Sequence, residues 1–348
     1  MRRHLLDPLG DVDEVEVVRR LCGVQAQVPG AASLAVRVRQ EGSAPDGVKR
    51  ALEERRLMRT WAMRGTLHLL PPDEAGAYLS LVGAARTWEK GSWQRASGVT
   101  ADQMVMLVEA VGQALDGQVL SREELVTAVC ERLGRPDLEE SLRSGWGSVL
   151  KPVAWQGGLC HATSEGNRVR FARPDQWLPD WTGVPAPEDA ARVVIPAYLR
   201  AYGPATLERF DAWLTRGASR KAALRGWFAA LEDRLATVEV DGEPALLMAD
   251  DVDELAGTSP TRAVRLLPGF DQYVLGPGTN AEEIIAPSHR ADVSRTAGWI
   301  SPVVVAGGRV VGAWEPDGGR VQVRPFEDVD PVPASELDAE VARVEGML

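Results

Sequence analysis

One pattern recurs three times along the 348 residues and restricts the fold more than any other feature of the sequence. In each round, segments with apolar residues at helical spacing are followed by two short strands around a polar turn. The three hairpins are predicted at residues 57–70, 159–171 and 235–249. Helices followed by a hairpin are typical of winged-helix modules, so three rounds predict three modules in tandem. A generic α+β chain is the alternative, because the three copies share little sequence.

Helices are predicted before and between these hairpins. Their ranges are 12–24, 46–54, 101–116, 121–133, 137–151, 188–202, 206–214 and 219–232, and a further helix begins at Pro71-Pro72. The helix at 121–133 has a distinct start, since Ser121 and Glu124 can form a capping box. The proline-rich stretch at 174–187 predicts a connector.

The pattern changes after residue 259. Short strands are predicted at 263–267, 273–275, 302–305, 309–314 and 320–323, with glycine pairs at 307–308 and 318–319 as hairpin turns. This part predicts a small β-barrel, closed by a helix from about residue 335. The predicted fold class is therefore α+β. Its segments are winged-helix modules at 1–85, 86–182 and 183–258 and a barrel-like region at 259–348.

The net charge of −11 is unusual for a protein that binds nucleic acids, but the acids are concentrated in two places. Residues 239–254 carry seven acids and no base, and residues 322–348 carry seven acids and two bases. Elsewhere, residues 49–64 and 192–234 carry more bases than acids. These two segments predict basic faces that are available to phosphates. Solvated helix faces with ordinary charge mixing are the alternative.

Composition and cysteine usage indicate the compartment. With 45% apolar and 26% charged residues the chain is typical of globular proteins, and no apolar run reaches the roughly 18 residues that a membrane span needs. The first residues carry bases without an apolar segment behind them, so no secretory signal is predicted. Cys22, Cys130 and Cys160 are odd in number and widely spaced, which favours free thiols in a reducing cytoplasm.

Several kinds of chemistry lack their sequence motifs. The chain has neither a phosphate-binding Gly-Lys-Ser/Thr loop nor the glycine fingerprint of a dinucleotide site. None of its four histidines is paired at metal-ligand spacing, and Cys160-His161 lies on a predicted strand, where neighbours face opposite sides. Its four lysines, Lys151 among them, show no hallmark of a Schiff-base nucleophile. We therefore expect a reaction without a metal or a cofactor.

Gln25 and Gln27 flank one small apolar residue where an apolar helix is predicted to end at Pro29-Gly30. On an ideal helix, side chains two residues apart point away from each other, but Pro29 disfavours helical backbone at Val28. At such a frayed end, both amides are able to face one point, such as a water molecule. Capping of the last helical carbonyls is the alternative.

Three segments in a fixed order carry a resemblance to a known family. They are Gln25-Ala26-Gln27, Trp61-Ala62-Met63-Arg64-Gly65-Thr66-Leu67-His68 and Leu266-Leu267-Pro268-Gly269-Phe270-Asp271-Gln272-Tyr273. With residues 202–206, 289–290 and 303–314, they make the sequence resemble the winged-helix DNA glycosylases of the AlkZ/YcaQ type over nearly its whole length. That family is described as three winged-helix modules that form a concave DNA-binding scaffold, followed by a β-barrel.

The resemblance implies a monofunctional DNA glycosylase, without lyase activity, that hydrolyses the N-glycosidic bond of alkylated purines in double-stranded DNA. Members with a Gln-aliphatic-Gln motif are associated with bulky N7 adducts and interstrand crosslinks, and Gln25 and Gln27 match that branch. The implied role is base excision repair in the cytoplasm, or self-resistance of a cell that makes a DNA-alkylating metabolite. We expect a monomer that does not bind membranes.

Gln25 and Gln27 are the expected catalytic residues, because an amide carbonyl can accept a hydrogen bond from water without acting as a strong base. Six further residues are candidates for contact with DNA. They are Arg59, Arg64, Thr66, His68, Asp271 and Arg290. The alternatives are a solvent-facing hairpin for the first two arginines, a structural histidine for His68 and a turn cap for Asp271. Arg290 is included because this chain lacks the Asp-Arg pair that the family commonly carries after its Leu-Gly.

A second hypothesis is a non-catalytic winged-helix regulator that binds DNA through the same basic faces. The Gln-x-Gln motif favours the enzyme, because a regulator has no need of the two amides. A dimerisation helix with heptads would favour the regulator, and the sequence contains none.

Overall fold

The computed structural model describes residues 1–145, 147–164, 166 and 168–348. They form a mixed α/β structure with two compact units, each assembled from separated stretches of chain. The first unit contains Met1–Arg50, Ala197–Arg209 and Asp233–Leu348, and the second contains Ala51–Pro196 and Phe210–Glu232. Each unit therefore draws on more than one of the segments predicted from the sequence.

The helices of the described residues alternate with short strands. The helices are α1 (Glu14–Arg20), α2 (Pro29–Arg37), α3 (Gly47–Glu53), α4 (Pro72–Ala84), α5 (Gly91–Ser97), α6 (Ala101–Ala114), α7 (Arg122–Leu133), α8 (Glu139–Arg143), α9 (Leu150–Trp155), α10 (Pro174–Trp177), α11 (Pro187–Tyr202), α12 (Leu207–Thr215), α13 (Lys221–Ala229), α14 (Val252–Gly257), α15 (Gln272–Leu275), α16 (Arg290–Val293) and α17 (Ala334–Glu345). The strands are β1 (Val24–Gln25), β2 (Met58–Trp61), β3 (Leu67–Leu70), β4 (Leu120–Ser121), β5 (Cys160–His161), β6 (Arg170–Ala172), β7 (Leu235–Val240), β8 (Glu243–Met248), β9 (Val264–Leu267), β10 (Val303–Ala306), β11 (Arg309–Asp317) and β12 (Arg320–Pro325).

In the second unit, strands from two predicted hairpins join in one antiparallel sheet, in the order β3-β2-β5-β6-β4. Met58 pairs with Leu70, which confirms the hairpin predicted at 57–70. Arg59 of β2 pairs with His161 of β5, so the two hairpins share an edge. Strands β5 and β6 are shorter than predicted, and residues 165 and 167 of their predicted turn lie outside the described residues.

The predicted connector at 174–187 packs against α4 of the same unit. Ser80 donates a hydrogen bond from its hydroxyl to the carbonyl oxygen of Pro185 at 2.8 Å. Gly76 faces the backbone of Gly183 so closely that a Cβ at this position would collide with the carbonyl group. Only glycine is therefore compatible with this close approach of helix and connector.

In the first unit, the N-terminal helix ends earlier than predicted. Helix α1 begins after the Asp13 cap, whose carboxylate accepts a hydrogen bond from the Glu16 N–H at 2.9 Å, and it ends at Arg20. Cys22 and Gly23 then adopt positive φ values of 53° and 93°, which turns the chain into strand β1. Pro29 does not stop a helix. It occupies the first turn of α2, where its missing N–H costs nothing.

The C-terminal strands form an open antiparallel sheet in the order β12-β11-β10-β9, so the predicted barrel is wrong. The reason lies at the outer edge of β9, where Glu340 of α17 accepts a hydrogen bond from the Leu266 N–H at 3.0 Å. Helix α17 thus covers the edge of β9 with which β12 would have to pair in a closed barrel. Val304, Trp314 and Val344 are buried in the core of this region.

Two other strand predictions in the first unit had different outcomes. The hairpin predicted at 235–249 is confirmed by β7 and β8, in which Leu235 pairs with Met248. The strand predicted at 273–275 is wrong, because these residues belong to helix α15. Phe270 has a φ of 62°, which ends the extended backbone, and the Asp271 carboxylate accepts a hydrogen bond from the Tyr273 N–H at 2.8 Å.

A buried ion pair connects the segment after α2 to the beginning of α15. Both guanidinium terminal nitrogens of Arg39 donate to the carboxylate of Asp271, at 2.8 and 2.7 Å, and the two side chains are fully buried. Arg39 also donates to the carbonyl oxygen of Ala35 at 2.6 Å. Such a bidentate pair fixes the relative position of two segments that are 232 residues apart in the sequence.

We expect the substitution Asp271→Asn to lower the free energy of unfolding by about 3–5 kcal/mol, because it leaves the buried Arg39 cation without a counter-charge. Urea unfolding followed by circular dichroism measures this change. Asp137→Asn is the matched control, since Asp137 forms a similar pair with Arg135 on the surface, and it should leave the free energy nearly unchanged. Equal effects of the two substitutions would contradict the structural role of the buried pair.

Candidate functional site

The glutamine stretch runs from the end of strand β1 to the start of helix α2, and it does not lie at the end of α1. Gln25 is the last residue of β1 and is only 7% exposed, whereas Gln27 is exposed. Val28 has extended backbone, with φ −116° and ψ 102°, and α2 begins at Pro29. No helix separates Gln25 from Gln27, and their convergence on one point stays a prediction.

Main-chain hydrogen bonds close the end of α1. The Cys22 N–H donates to the Arg19 carbonyl at 3.0 Å, and the Gly23 N–H donates to the Val18 carbonyl at 2.9 Å. These are the bonds that close a helix whose following residues adopt left-handed backbone. The main chain thus fills part of the capping role that the sequence left open for Gln25 and Gln27.

A cavity of about 420 Å³ in the first unit brings the segment after Gln27 together with the Pro268-Gly269-Phe270 motif. Val28 lines it on one side, and Phe270 and Trp299 line it on another. The two aromatic rings meet edge to face with centroids 5.0 Å apart, and Trp299 is 49% exposed. An exposed tryptophan of this kind presents a large apolar face to a ligand. No feature of the sequence indicated this aromatic pair.

Asp271 and Arg290, two candidates for DNA contact in the first unit, have very different environments. Asp271 is completely buried, holds Arg39 and caps α15, so it offers no surface to DNA in this structure. The capping alternative is the role that its hydrogen bond to Tyr273 provides. Arg290 is exposed at the start of α16, and its contact with DNA stays a prediction.

In the second unit, hydrogen bonds connect Arg64, Thr66 and His68 around the β2–β3 turn. Nδ1 of His68 lies 3.0 Å from the Thr66 carbonyl oxygen, and Nε2 lies 3.4 Å from a terminal nitrogen of Arg64. The carbonyl only accepts and the guanidinium only donates, so the proton belongs on Nδ1 and Nε2 is the acceptor. Arg64 also donates to the Trp213 carbonyl at 3.0 Å. His68 thus orients Arg64.

Charge in this cluster is set by burial. Burial, and then the nearby Arg64 cation, lower the pKa of His68 to about 3, so this imidazole is neutral at physiological pH. Burial also lowers the pKa of Arg59, whose guanidinium donates to the Ser164 hydroxyl at 3.3 Å. His68 is fully buried, while Arg59, Arg64 and Thr66 remain partly exposed. Contact of these three residues with DNA stays a prediction.

Neither a metal cluster nor a membrane-spanning helix occurs in the described part of the chain. Within it, no three histidine, cysteine, aspartate or glutamate side chains converge in a group that could hold a metal ion. No described helix has the length and apolar character that crossing a bilayer requires. The expectation of a reaction without a metal or a cofactor stays a prediction.

Three comparisons with known proteins give the same result. The sequence matches the model of the family described as DNA glycosylase AlkZ-like over residues 18–347. It is 50% identical over 345 residues to a protein of Streptomyces sahachiroi named interstrand DNA cross-link repair glycosylase, with 99% of this chain and 93% of that protein covered. The fold is similar to the solved structure of Streptomyces sahachiroi DNA glycosylase AlkZ, with a TM-score of 0.96, 50% identity, and coverage of 99% of this chain and 94% of that one.

We expect His68 to make stability depend on pH below about 6.5. Its pKa is about 3 in the folded protein, against an ordinary histidine value of 6.5, so between these values only the unfolded chain binds the proton. The contribution of neutral His68 to the free energy of unfolding is fully present above pH 6.5. Below that pH, this contribution falls by about 1.4 kcal/mol for each pH unit. Urea unfolding at pH 5.0 to 6.5 should therefore show a shallower pH dependence for His68→Gln than for wild type. Identical slopes would mean that His68 is not held neutral.

Proposed function

Since the chain belongs to the AlkZ-like DNA glycosylases, we propose that it hydrolyses the N-glycosidic bond of N7-alkylated purines in double-stranded DNA, with a water molecule positioned by Gln25 and Gln27. The environment of the two glutamines is the observation that carries this proposal. Main-chain N–H groups bond the Val18 and Arg19 carbonyls at the end of α1, so these two carbonyls do not require the amides as caps. One amide is largely buried and the other exposed, as expected where a protein surface meets a substrate.

The chemistry of the substrate explains why amides are sufficient. Alkylation at N7 gives the purine a positive charge, which weakens the glycosidic bond and makes the base a good leaving group without a general acid. The enzyme then has to place water near C1′ and stabilise the positive charge that develops on the sugar. A glutamine carbonyl accepts a hydrogen bond from the water and directs its dipole to that charge. No residue is assigned to a lyase step, so the proposed enzyme is monofunctional.

A bulky adduct or an interstrand crosslink is the proposed lesion. The Streptomyces sahachiroi relative is named for the repair of interstrand crosslinks. In this chain the cavity of about 420 Å³ beside Val28 has room for adduct atoms beyond the purine, and Phe270 and Trp299 supply an apolar wall for them. Repair of such lesions would serve base excision repair, or self-resistance in a cell that makes the alkylating compound.

The DNA-binding scaffold is proposed to consist of three winged-helix modules at 1–85, 86–182 and 183–258, in a monomer. In support of it, hairpins β2–β3, β5–β6 and β7–β8 each follow helices in the sequence. Arg59, Arg64 and Thr66 on or beside the first hairpin, and Arg290 in α16, are the proposed DNA contacts. His68 is assigned the positioning of Arg64, and Asp271 the positioning of α15.

Base release from duplex DNA tests the catalytic assignment. Wild type is expected to release 7-methylguanine and a bulkier N7 adduct, measured as abasic sites under single-turnover conditions. Gln25→Ala together with Gln27→Ala should lower the rate by about 10²–10³-fold, because preorganised dipoles at the reacting centre contribute on that scale. Gln118→Ala, at an exposed glutamine of the second unit, is the control and should keep the wild-type rate.

Two outcomes would contradict the proposal in different ways. Tight DNA binding by wild type without release of any N7-alkylated base would leave a non-catalytic DNA-binding protein. An unchanged rate in the folded double variant would remove Gln25 and Gln27 from the site while the activity stands.

A further inference from the structure

A cavity of about 300 Å³ in the second unit lies beside the turn between β2 and β3. We call it the basic pocket, because Arg64 and Lys151 line it and none of its described lining residues is an acid. Lys151, in α9, packs on the turn. A Cβ placed on Gly65 would stand 3.8 Å from its Nζ and 3.7 Å from its Cδ. Three residues with hydroxyl groups, Thr87, Ser148 and Thr215, add polar groups to the lining.

The positive charge of Lys151 is not balanced by any described residue. Its ammonium group makes no hydrogen bond or ion pair within the described ranges. Burial, and then the charge of Arg216, lower the pKa of Lys151, which means that its cation is unfavourable in the protein as it stands. A partly buried cation beside other cations is stabilised by an anion.

Carboxylates that lie close to the pocket in the sequence are engaged elsewhere. Asp211 accepts hydrogen bonds from the Thr215 hydroxyl at 2.5 Å and from the Ser219 N–H at 3.2 Å. Glu89 forms ion pairs with Arg86 at 2.6 Å and with Arg220 at 3.2 Å. These acids therefore have partners of their own, and the pocket keeps its positive character.

Trp155 contributes its ring to the pocket. Cζ2 of the ring lies 3.8 Å from the position of a Cβ on Gly65, next to Lys151. The indole Nε1 is buried and has no hydrogen-bond partner among the described residues, so it does not face the open space of the pocket. The ring therefore forms an apolar wall beside the ammonium group of Lys151.

Arg64 is held at the rim before any ligand arrives. Its guanidinium donates to the Trp213 carbonyl and to Nε2 of the neutral His68. These bonds orient the cation at the rim of the pocket. A rigid cation loses less entropy when it meets a ligand than a free side chain does.

We propose that the basic pocket binds one phosphodiester group of the DNA backbone, with Lys151 forming the ion pair and Arg64 adding positive charge. The proposal rests on the proposed function for one point only, the choice of DNA as the source of the phosphate. Inorganic phosphate presents the same negatively charged oxygens, and the experiments below distinguish its binding from that of DNA.

The test is the salt dependence of binding to undamaged duplex DNA, which does not depend on catalysis. Each lost phosphate contact makes the slope of log K against log salt concentration less steep by about 0.9. Lys151→Gln is expected to bind more weakly and to show this change. Lys90→Gln, the same substitution at an exposed lysine that does not line the pocket, should keep the wild-type slope. An unchanged slope for Lys151→Gln, or equal changes in both variants, overturns the proposal.

Thermal unfolding separates a binding role of Lys151 from a structural one. Lys151→Gln removes an unfavourable cation, so its melting temperature should equal or exceed that of wild type. A lower melting temperature together with an unchanged salt slope would assign Lys151 to packing and overturn the proposal. Stabilisation of wild type by inorganic phosphate, without any effect of Lys151→Gln on DNA binding, would assign the pocket to free phosphate and also overturn it.

Base release distinguishes this inference from the proposed function. If wild type releases 7-methylguanine but the salt slope of Lys151→Gln is unchanged, only the phosphate site is refuted. If the slope changes but wild type releases no base, the phosphate site stands and the glycosylase mechanism does not.

Discussion

The buried pair of Arg39 and Asp271 is the contact on which the arrangement of the first unit depends. Asp271 accepts two hydrogen bonds from Arg39 and one from the Tyr273 N–H, so one carboxylate fixes both the end of the α2 segment and the start of α15. Because Gln27 precedes α2 by two residues and Phe270 precedes Asp271 by one, the pair also sets the positions of the glutamine stretch and the aromatic wall. The segment after Gln27 and the Pro268-Gly269-Phe270 motif, which are far apart in the sequence, therefore meet at one cavity.

Local sequence signals predicted the local structure well. The hairpins at 57–70 and 235–249 are present, and Ser121 and Glu124 form both bonds of the predicted capping box. One error arose where a distant residue decides the outcome, since Glu340 covers the edge of β9 and keeps the sheet open without a signature in the residues around β9. The other error is local. Asp271 caps residues 272–275 as a helix, although strand-forming residues predicted a strand there.

In the candidate site too, the sequence predicted which residues are of interest but not their surroundings in the fold. The sequence identified Gln25, Gln27, Arg64 and His68 as residues of interest, but not that His68 is buried and neutral. It also assigned no role to Lys151, because a lysine in a short helix differs from a surface lysine only through its tertiary neighbours. Motifs therefore indicated where the chemistry lies, and the packing of distant segments determined which side chains can reach a ligand.

The proposed DNA contacts and the proposed catalytic residues differ in charge. Arg64, a proposed DNA contact, is positively charged and is oriented by His68 and the Trp213 carbonyl. The two glutamines carry no charge and cannot supply a proton to a leaving base. An enzyme built in this way depends on the positive charge of its substrate for bond cleavage. Its specificity would then come from the chemistry of the lesion as well as from the shape of the cavity.

The most direct measurement compares two duplexes that differ at one atom of one base. One contains 7-methylguanine and the other contains 7-deaza-7-methylguanine, which has nearly the same shape but no positive charge. We expect similar binding of both duplexes and release of the cationic base alone under single-turnover conditions. Release of the neutral base at a comparable rate would contradict the mechanism, because it would require a proton donor that two glutamines do not provide.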